Sequence, residues 1–183
     1  MKIHNVAQGS AEWHALRAQH FTASEAPAMM GASKYQTRTE LLTLKKTGIA
    51  PDVTPSQQFI FDKGHATEAL ARPLVEVMIG EELYPVVGTE GNLLASLDGA
   101  TELGETLFEH KLWNESLVAQ VKAEDLAPHY YWQLEQQLLV SGAERVIFVC
   151  SDGTAENFVS MEYRPVAGRA EQLIEGWKQF EAD

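Results

Sequence analysis

A change of period near residue 80 limits the folds open to this chain. Before it, capping signals and apolar residues recur at helical spacing. Ser10 can cap a helix running through Trp13, Leu16, Arg17 and His20. Thr22-Ala-Ser-Glu25 and Thr37-Arg-Thr-Glu40 each have the form of a capping box, where a Thr oxygen and a Glu three residues on satisfy the first free amides. Residues 48–56, with two prolines, read as a loop, and a helix over 57–79 follows, with Pro73 expected to kink or restart it. Beyond residue 80 the pattern is that of strands. Residues 83–87 and 92–97 are short apolar runs set apart by Gly88 and Gly91, and residues 105–111 alternate. Pro128 suits the first turn of a helix reaching Val140. Residues 145–150 form a continuous apolar run typical of a buried strand, 157–163 its antiparallel neighbour, and 167–180 an amphipathic closing helix. This order predicts an α/β fold with a central mixed sheet flanked by helices. No repeat, low-complexity tract or linker interrupts the chain, so residues 1–183 are expected to form one domain.

Composition narrows the class further. Apolar residues at 45% and charged residues at 22% are ordinary for a globular enzyme and exclude a disordered chain. Cys150 is the only cysteine, so no intrachain disulfide can form and a reducing compartment is expected. Residues 1–10 lack the apolar core of a secretory signal, and no apolar stretch is long enough to span a bilayer. These observations predict a cytoplasmic protein. The net charge of −12 argues against a nucleic-acid partner, because affinity for phosphates normally needs a basic footprint. A few cations inside a cleft can nevertheless dominate the local field of an acidic protein.

The residues that carry chemistry are Ser96-Leu-Asp98-Gly and Phe108-Glu109-His-Lys111, with ten residues between the two acids. Residues two apart on a strand share a face, so Ser96 and Asp98 project together, as do Glu109 and Lys111, while His110 points away. Gly99, Gly104 and the polar stretch between them suit a hairpin that lays the two strands side by side. Two carboxylates and an ammonium would then converge. Such a group suits phosphodiester hydrolysis: Mg²⁺ takes oxygen ligands and keeps several waters, and a lysine beside it can hold and help deprotonate the attacking water. The bland alternative makes Glu109 and Lys111 a surface ion pair and Asp98 a turn residue, and spacing alone does not decide between them. None of the six histidines has zinc-like spacing, and no glycine-rich nucleotide loop is present, which predicts no nucleotide or organic cofactor.

Context adds to the spacing. In order along the chain stand Gln8-Gly, Trp13-His-x-Leu-Arg17, Thr22-Ala-Ser-Glu25, Gly64-x-x-x-Glu68 with Ala71-Arg72, Ser96-x-Asp98-Gly, Glu109-x-Lys111 and Tyr130-Tyr-Trp-Gln133. Over Gln8 to about Gly142 this series resembles the lambda-exonuclease family, or YqaJ-like viral recombinases, within the PD-(D/E)xK nuclease superfamily. Departures are Leu97 where the superfamily has proline, Pro73 inside the helix carrying Glu68, and residues 143–183, which match no motif.

The resemblance implies a restriction-endonuclease-like fold and assigns roles residue by residue. Asp98, Glu109 and the backbone carbonyl of His110 match ligands of Mg²⁺, with Mn²⁺ able to substitute. Lys111 matches the lysine that orients the nucleophilic water. Glu68 matches a helical glutamate that reaches the metal, often through water; its alternative is an i,i+4 ion pair with Arg72. Gln133 matches a glutamine near the nucleophile, against the alternative of an exposed polar residue. Arg17, Ser24 and Ser96 match the pocket for the 5′-phosphate of a DNA end, where a helix starting at Thr22 would offer free amides to an anion. Simple capping by Ser24 and a solvated Arg17 are the competing readings. The activity implied is a 5′→3′ exonuclease on linear double-stranded DNA that leaves a 3′ single strand for recombination. Also implied are a homotrimeric ring around DNA, a single-strand-annealing recombinase as partner, and a phage or prophage gene in a bacterial cell. The rivals are an endonuclease on the same core and a non-catalytic DNA-binding or assembly module.

Overall fold

The computed structural model describes residues 1–183. Its elements are β1 (Lys2–His4), α1 (Ala11–Ala18), β2 (Phe21–Thr22), a 3-10 turn (Ala23–Glu25), α2 (Ala26–Met29), α3 (Arg38–Thr47), α4 (Pro55–Ile79), β3 (Tyr84–Glu90), β4 (Leu93–Ala100), β5 (Thr106–Leu112), α5 (Glu115–Lys122), α6 (Pro128–Ser141), β6 (Arg145–Ser151), β7 (Phe158–Tyr163) and α7 (Arg169–Ala182). The strands form one mixed sheet in the order β1-β3-β4-β5-β6-β7, with β2 paired to β4 off that path. The expected mixed sheet flanked by helices is therefore present. Elements not anticipated are β1, β2 and α5. The α5 helix did carry a signal, since Asn114 caps it by accepting from the Leu117 amide at 3.2 Å.

The pairing of β4 determines where a site can form. Along one edge β3 pairs with its full length, from Leu93↔Glu90 to Ala100↔Tyr84. The opposite edge is shared. Its start pairs in parallel with β2 at Leu93 and Leu94, and its end pairs antiparallel with β5 at Gly99 and Ala100. Between them, Ala95–Asp98 has no strand on that side, and β5 swings away to run parallel with β6 over seven residue pairs. A gap opens in the sheet where Ser96 and Asp98 stand.

Glycine controls the point of divergence. Gly99 lies within β4 rather than in the hairpin turn, and a Cβ there would stand 3.0 Å from the Leu83 Cβ and 3.3 Å from Phe108. The turn belongs to Gly104, whose φ of 73° suits glycine. Gly88 likewise lies inside β3 rather than between strands.

Two hydrophobic clusters cover the two faces of the sheet. The larger, on the side of α2, α5, α6 and α7, includes Leu107, Leu134, Leu138, Phe148 and Trp177. The smaller joins Ala71 and Val75 of α4 to Leu83, Phe108, Ile147 and Val149 on the opposite face. The α4 helix runs unbroken for 25 residues through Pro73, where the sequence predicts a kink or restart. Both Pro73 and Ala69, whose carbonyl loses its helical partner, are solvent-exposed, so water satisfies the freed group. The helix also begins at Pro55, two residues earlier than expected, behind the Thr54 cap.

Candidate active site

The gap beside β4 brings the carboxylates together. Where β5 leaves β4, the Asp98 side chain replaces the missing strand: its Oδ2 accepts from the His110 N–H at 2.9 Å. A strand residue sends its N–H and C=O toward the same neighbour, so the His110 carbonyl faces this gap too. Glu109 and Lys111 project from β5 toward α6, as their spacing predicts. Lys111 Nζ donates to Glu109 Oε1 at 2.7 Å and to Gln133 Oε1 at 3.1 Å. Gln133 Nε2 reaches the same Glu109 oxygen at 2.8 Å. Gln133 is thus half-buried and engaged, not an exposed polar residue. The His110 ring lies on the other face, buried against Ser151 Oγ at 2.8 Å. Burial lowers its pKa to about 4, so it stays neutral at physiological pH.

Glu68 arrives from α4, on the opposite face of the sheet. Its ion pair with Arg72 at 2.8 Å is present, as the simpler reading of the spacing expects. The same guanidinium also donates to the Asp98 carbonyl, from Nε at 3.2 Å and Nη2 at 3.0 Å, and so ties α4 to β4 at the gap. Arg72 has a positional role that the sequence offered only as a helix-surface partner.

The electrostatics record the crowding of acids. Burial, then the charges of Glu109 and Glu68, push the Asp98 carboxyl well above the usual carboxylate range, against the pull of Lys111. Burial raises Glu68 as well, with Arg72 opposing and Glu109 adding to the rise. Burial alone would lower Lys111, but the Glu109 and Asp98 charges outweigh it and hold its ammonium above the ordinary value.

As they stand, the acids do not make a ready three-ligand cluster, because Lys111 and glutamine amides engage Glu109. Their chemistry still fits a hard divalent cation. All donors are oxygens, a single ammonium faces three carboxylates, and only one Asp98 oxygen accepts a hydrogen bond from the protein.

Arg17, Ser24 and Ser96 form a second group beside the acids. Trp13 links them: its Nε1 donates to Ser96 Oγ at 2.9 Å, and the Arg17 guanidinium lies over its ring at 4.5 Å. Arg17 Nη2 in turn donates to Ser24 Oγ at 3.2 Å. Arg17 has no carboxylate within ion-pairing distance, since Glu25 pairs with Lys45 at 2.9 Å. Burial lowers its pKa from the ordinary value, while Glu25 opposes the shift. A cation this well positioned and lacking a salt bridge suits an anion from solution. The expected exposed helix N-terminus is absent. Thr22 and Ala23 are buried, the segment begins as a 3-10 turn, and α2 has only four residues. Of its first residues only Ser24 faces solvent, so hydroxyls and Arg17, rather than a helix dipole, remain to meet an anion.

One open cleft of about 540 Å³ runs beside the site, with Ser24, Lys111 and Gln133 in its wall together with Tyr35, Phe61 and His129. Sequence reasoning missed Gln137, whose Nε2 donates to Glu109 Oε2 at 2.7 Å. It stands one helical turn beyond Gln133, and that i,i+4 spacing was the available signal.

A sheet that parts between two antiparallel strands, with acids in the parting and helices on both faces, is a frame this chain shares with solved exonuclease structures. The alkaline exonuclease LHK-Exo from Laribacter hongkongensis is similar in fold, with a TM-score of 0.75 and 21% identity over 94% of this chain and 91% of that one. LHK-Exo in complex with dAMP gives the same TM-score at 20% identity over the same shares of each chain. A phage related exonuclease from Haemophilus somnus 129PT follows at 0.61, with 13% identity over 92% of this chain and 93% of that one. A family model of the YqaJ-like viral recombinase domain matches residues 12–144, and the chain belongs to that family. No curated protein matches the chain. Residues 143–183, which match no motif, supply β6, β7 and α7 of the shared fold.

Proposed function

We propose that this chain is a divalent-metal-dependent 5′→3′ exonuclease that degrades one strand of linear double-stranded DNA. The observation that carries this reading is the meeting of Asp98, Glu109 and Lys111 at the parting of β4 and β5, with Lys111 and Ser24 lining one cleft and the Arg17 guanidinium bonded to Ser24. Asp98, Glu109 and the His110 carbonyl would hold Mg²⁺ or Mn²⁺, with Glu68 contributing directly or through water. What a bound ion supplies is polarisation of the scissile phosphate and stabilisation of the leaving oxygen. Lys111, held by Glu109 and Gln133, orients the attacking water, lowers its pKa through the ammonium charge and offsets charge on the phosphorane-like transition state. Arg17, Ser24 and Ser96 bind the terminal 5′-phosphate and so set the register of the cut. Water then adds to phosphorus, the 3′-oxygen of the terminal nucleotide's link departs with a proton, and a 5′-mononucleotide is released.

Residues 1–183 act in this reading as one nuclease domain. A head-to-tail homotrimer is the assembly we propose, since ring closure keeps an acidic enzyme on its substrate without a basic surface. The exposed apolar side chains of α4, among them Phe59, Ile60, Leu70 and Val77, support burial against another copy. The exposed 3′ strand would pass to a single-strand-annealing recombinase, in the cytoplasm of a bacterial host carrying the phage or prophage gene. No helix is long and apolar enough to cross a membrane.

Digestion of one duplex labelled separately at each end, with and without Mg²⁺, tests reaction type, polarity and metal need together. Mononucleotides released from the 5′ end only with metal are the expected products. Cutting of a covalently closed circle would replace this reading with an endonuclease. The absence of any hydrolysis would leave a DNA-binding module.

A further inference from the structure

We infer that Gln137 is a positioning residue for the Glu109 carboxylate, an inference that rests on the metal-dependent reading above. Gln137 is fully buried, and its Nε2 donates to Glu109 Oε2 at 2.7 Å. Lys111 and Gln133 both act on the other oxygen, Oε1, which leaves Gln137 as the sole hydrogen-bond partner of Oε2. Two oxygens gripped from different elements fix the plane of the carboxylate as well as its location.

The other end of the same amide is the informative one. Gln137 Oε1 is the only buried side-chain polar atom in the protein with no hydrogen-bond partner. A core glutamine kept for packing settles where both ends are satisfied, because an orphaned buried acceptor is costly. The adjacent Gln136 does so: its Nε2 donates to the carbonyls of Phe21 and Leu94, and its Oε1 accepts from Trp177. Turning the Gln137 amide would aim its oxygen at a carboxylate oxygen, so the charge on Glu109 dictates its orientation. The orphaned oxygen is tolerated in order to keep that N–H on Glu109. Groups that hold a metal-binding side chain from behind commonly change metal affinity when removed.

The test is direct Mn²⁺ binding without DNA, read from the loss of the free-ion electron-spin-resonance signal, in wild type, Gln137→Met and Gln137→Leu. Either replacement removes the donor and the orphaned acceptor at similar volume. The expected result is a Kd raised roughly tenfold to a hundredfold, with the fold intact by circular dichroism and hydrolysis recovering toward the wild-type rate at saturating metal. A purely structural role predicts the reverse, a lowered Tm with unchanged Kd, and that outcome overturns the inference, as does loss of folding in both variants. Wild-type protein that binds no Mn²⁺ would overturn the metal reading itself. Wild-type binding left unchanged by Gln137→Met would overturn this inference alone.

Discussion

The two helices that serve the site, α4 and α6, break the amphipathic rule in opposite directions. On α6 the consecutive polar residues Glu135, Gln136 and Gln137 are buried. On α4 the apolar residues Phe59, Ile60, Leu70, Val77 and Met78 are exposed. The reason lies in what each helix faces. The parted strands present carbonyls and a carboxylate to α6, and a helix can cover those only with donors of its own. The α4 helix meets the sheet chiefly through the stripe Thr67, Ala71 and Val75, and much of its remaining apolar surface is exposed. Of the buried polar residues on α6 only Gln137 reaches the acidic cluster, while Glu135 and Gln136 serve the fold, and the apolar residues of α4 face solvent.

The sharpest way to break this contrast is at the chemical end. Lys111→Ala should lower hydrolysis by about 10²–10⁴-fold with the fold intact by circular dichroism; degradation at the wild-type rate would remove Lys111 from the mechanism. Next comes the structural part of α6. Glu135 accepts from the Tyr163 hydroxyl and the Val166 amide, and Arg169 stands 3.9 Å away. Glu135→Ala leaves those two donors unpaired and should therefore cost about 2–4 kcal/mol of unfolding free energy in urea titration. Arg17→Ala should weaken preference for 5′-phosphorylated over 5′-hydroxyl ends by roughly tenfold to a hundredfold, the value of one or two charged hydrogen bonds.

Metal removal makes the crowding of Asp98 and Glu68 visible through pH. Asp98 and Glu68 have raised folded-state pKa values, so their contribution to stability is complete below the ordinary carboxylate range and is lost as pH rises through those raised values. Metal-free protein should accordingly lose Tm as pH is raised across that window. Added Mg²⁺ should restore it at alkaline pH, by about 2.7 kcal/mol at a hundredfold excess over Kd. A metal-free Tm that climbs with pH over the same window would contradict the crowding of acids. The smallest effect is expected on α4: Val77→Asp, 85% exposed, should change monomer stability by no more than about 0.5 kcal/mol. It should nonetheless shift the protein to smaller species in sedimentation, if the helix meets another copy.

Much of this was legible in the sequence because it followed from local rules. Strand alternation aligned Ser96 with Asp98 and Glu109 with Lys111, and capping chemistry announced α3 at Thr37. What escaped depended on partners distant in the chain. The two-residue β2 exists only because Leu93 and Leu94 lie beside it, so no window around Phe21 could reveal it. Gln137 reads as the polar face of an amphipathic helix until the sheet beneath is known to carry a buried carboxylate. The helix expected at Thr22 is reduced to a 3-10 turn and four residues because this segment must continue from β2 into the core beneath α6.

The strand parting also divides the site into halves of unequal durability. Only two residue pairs anchor β2, whereas seven join β5 to β6. The α1 helix just before β2 has no buried residue, and segments so loosely packed are the first to open below the threshold for global unfolding. Slow heating or mild denaturant would thus release α1, and with it Trp13 and Arg17, while the β5–β6 half stays assembled. On the function proposed above, the loosened protein would keep its acids together while losing its hold on the 5′-phosphate.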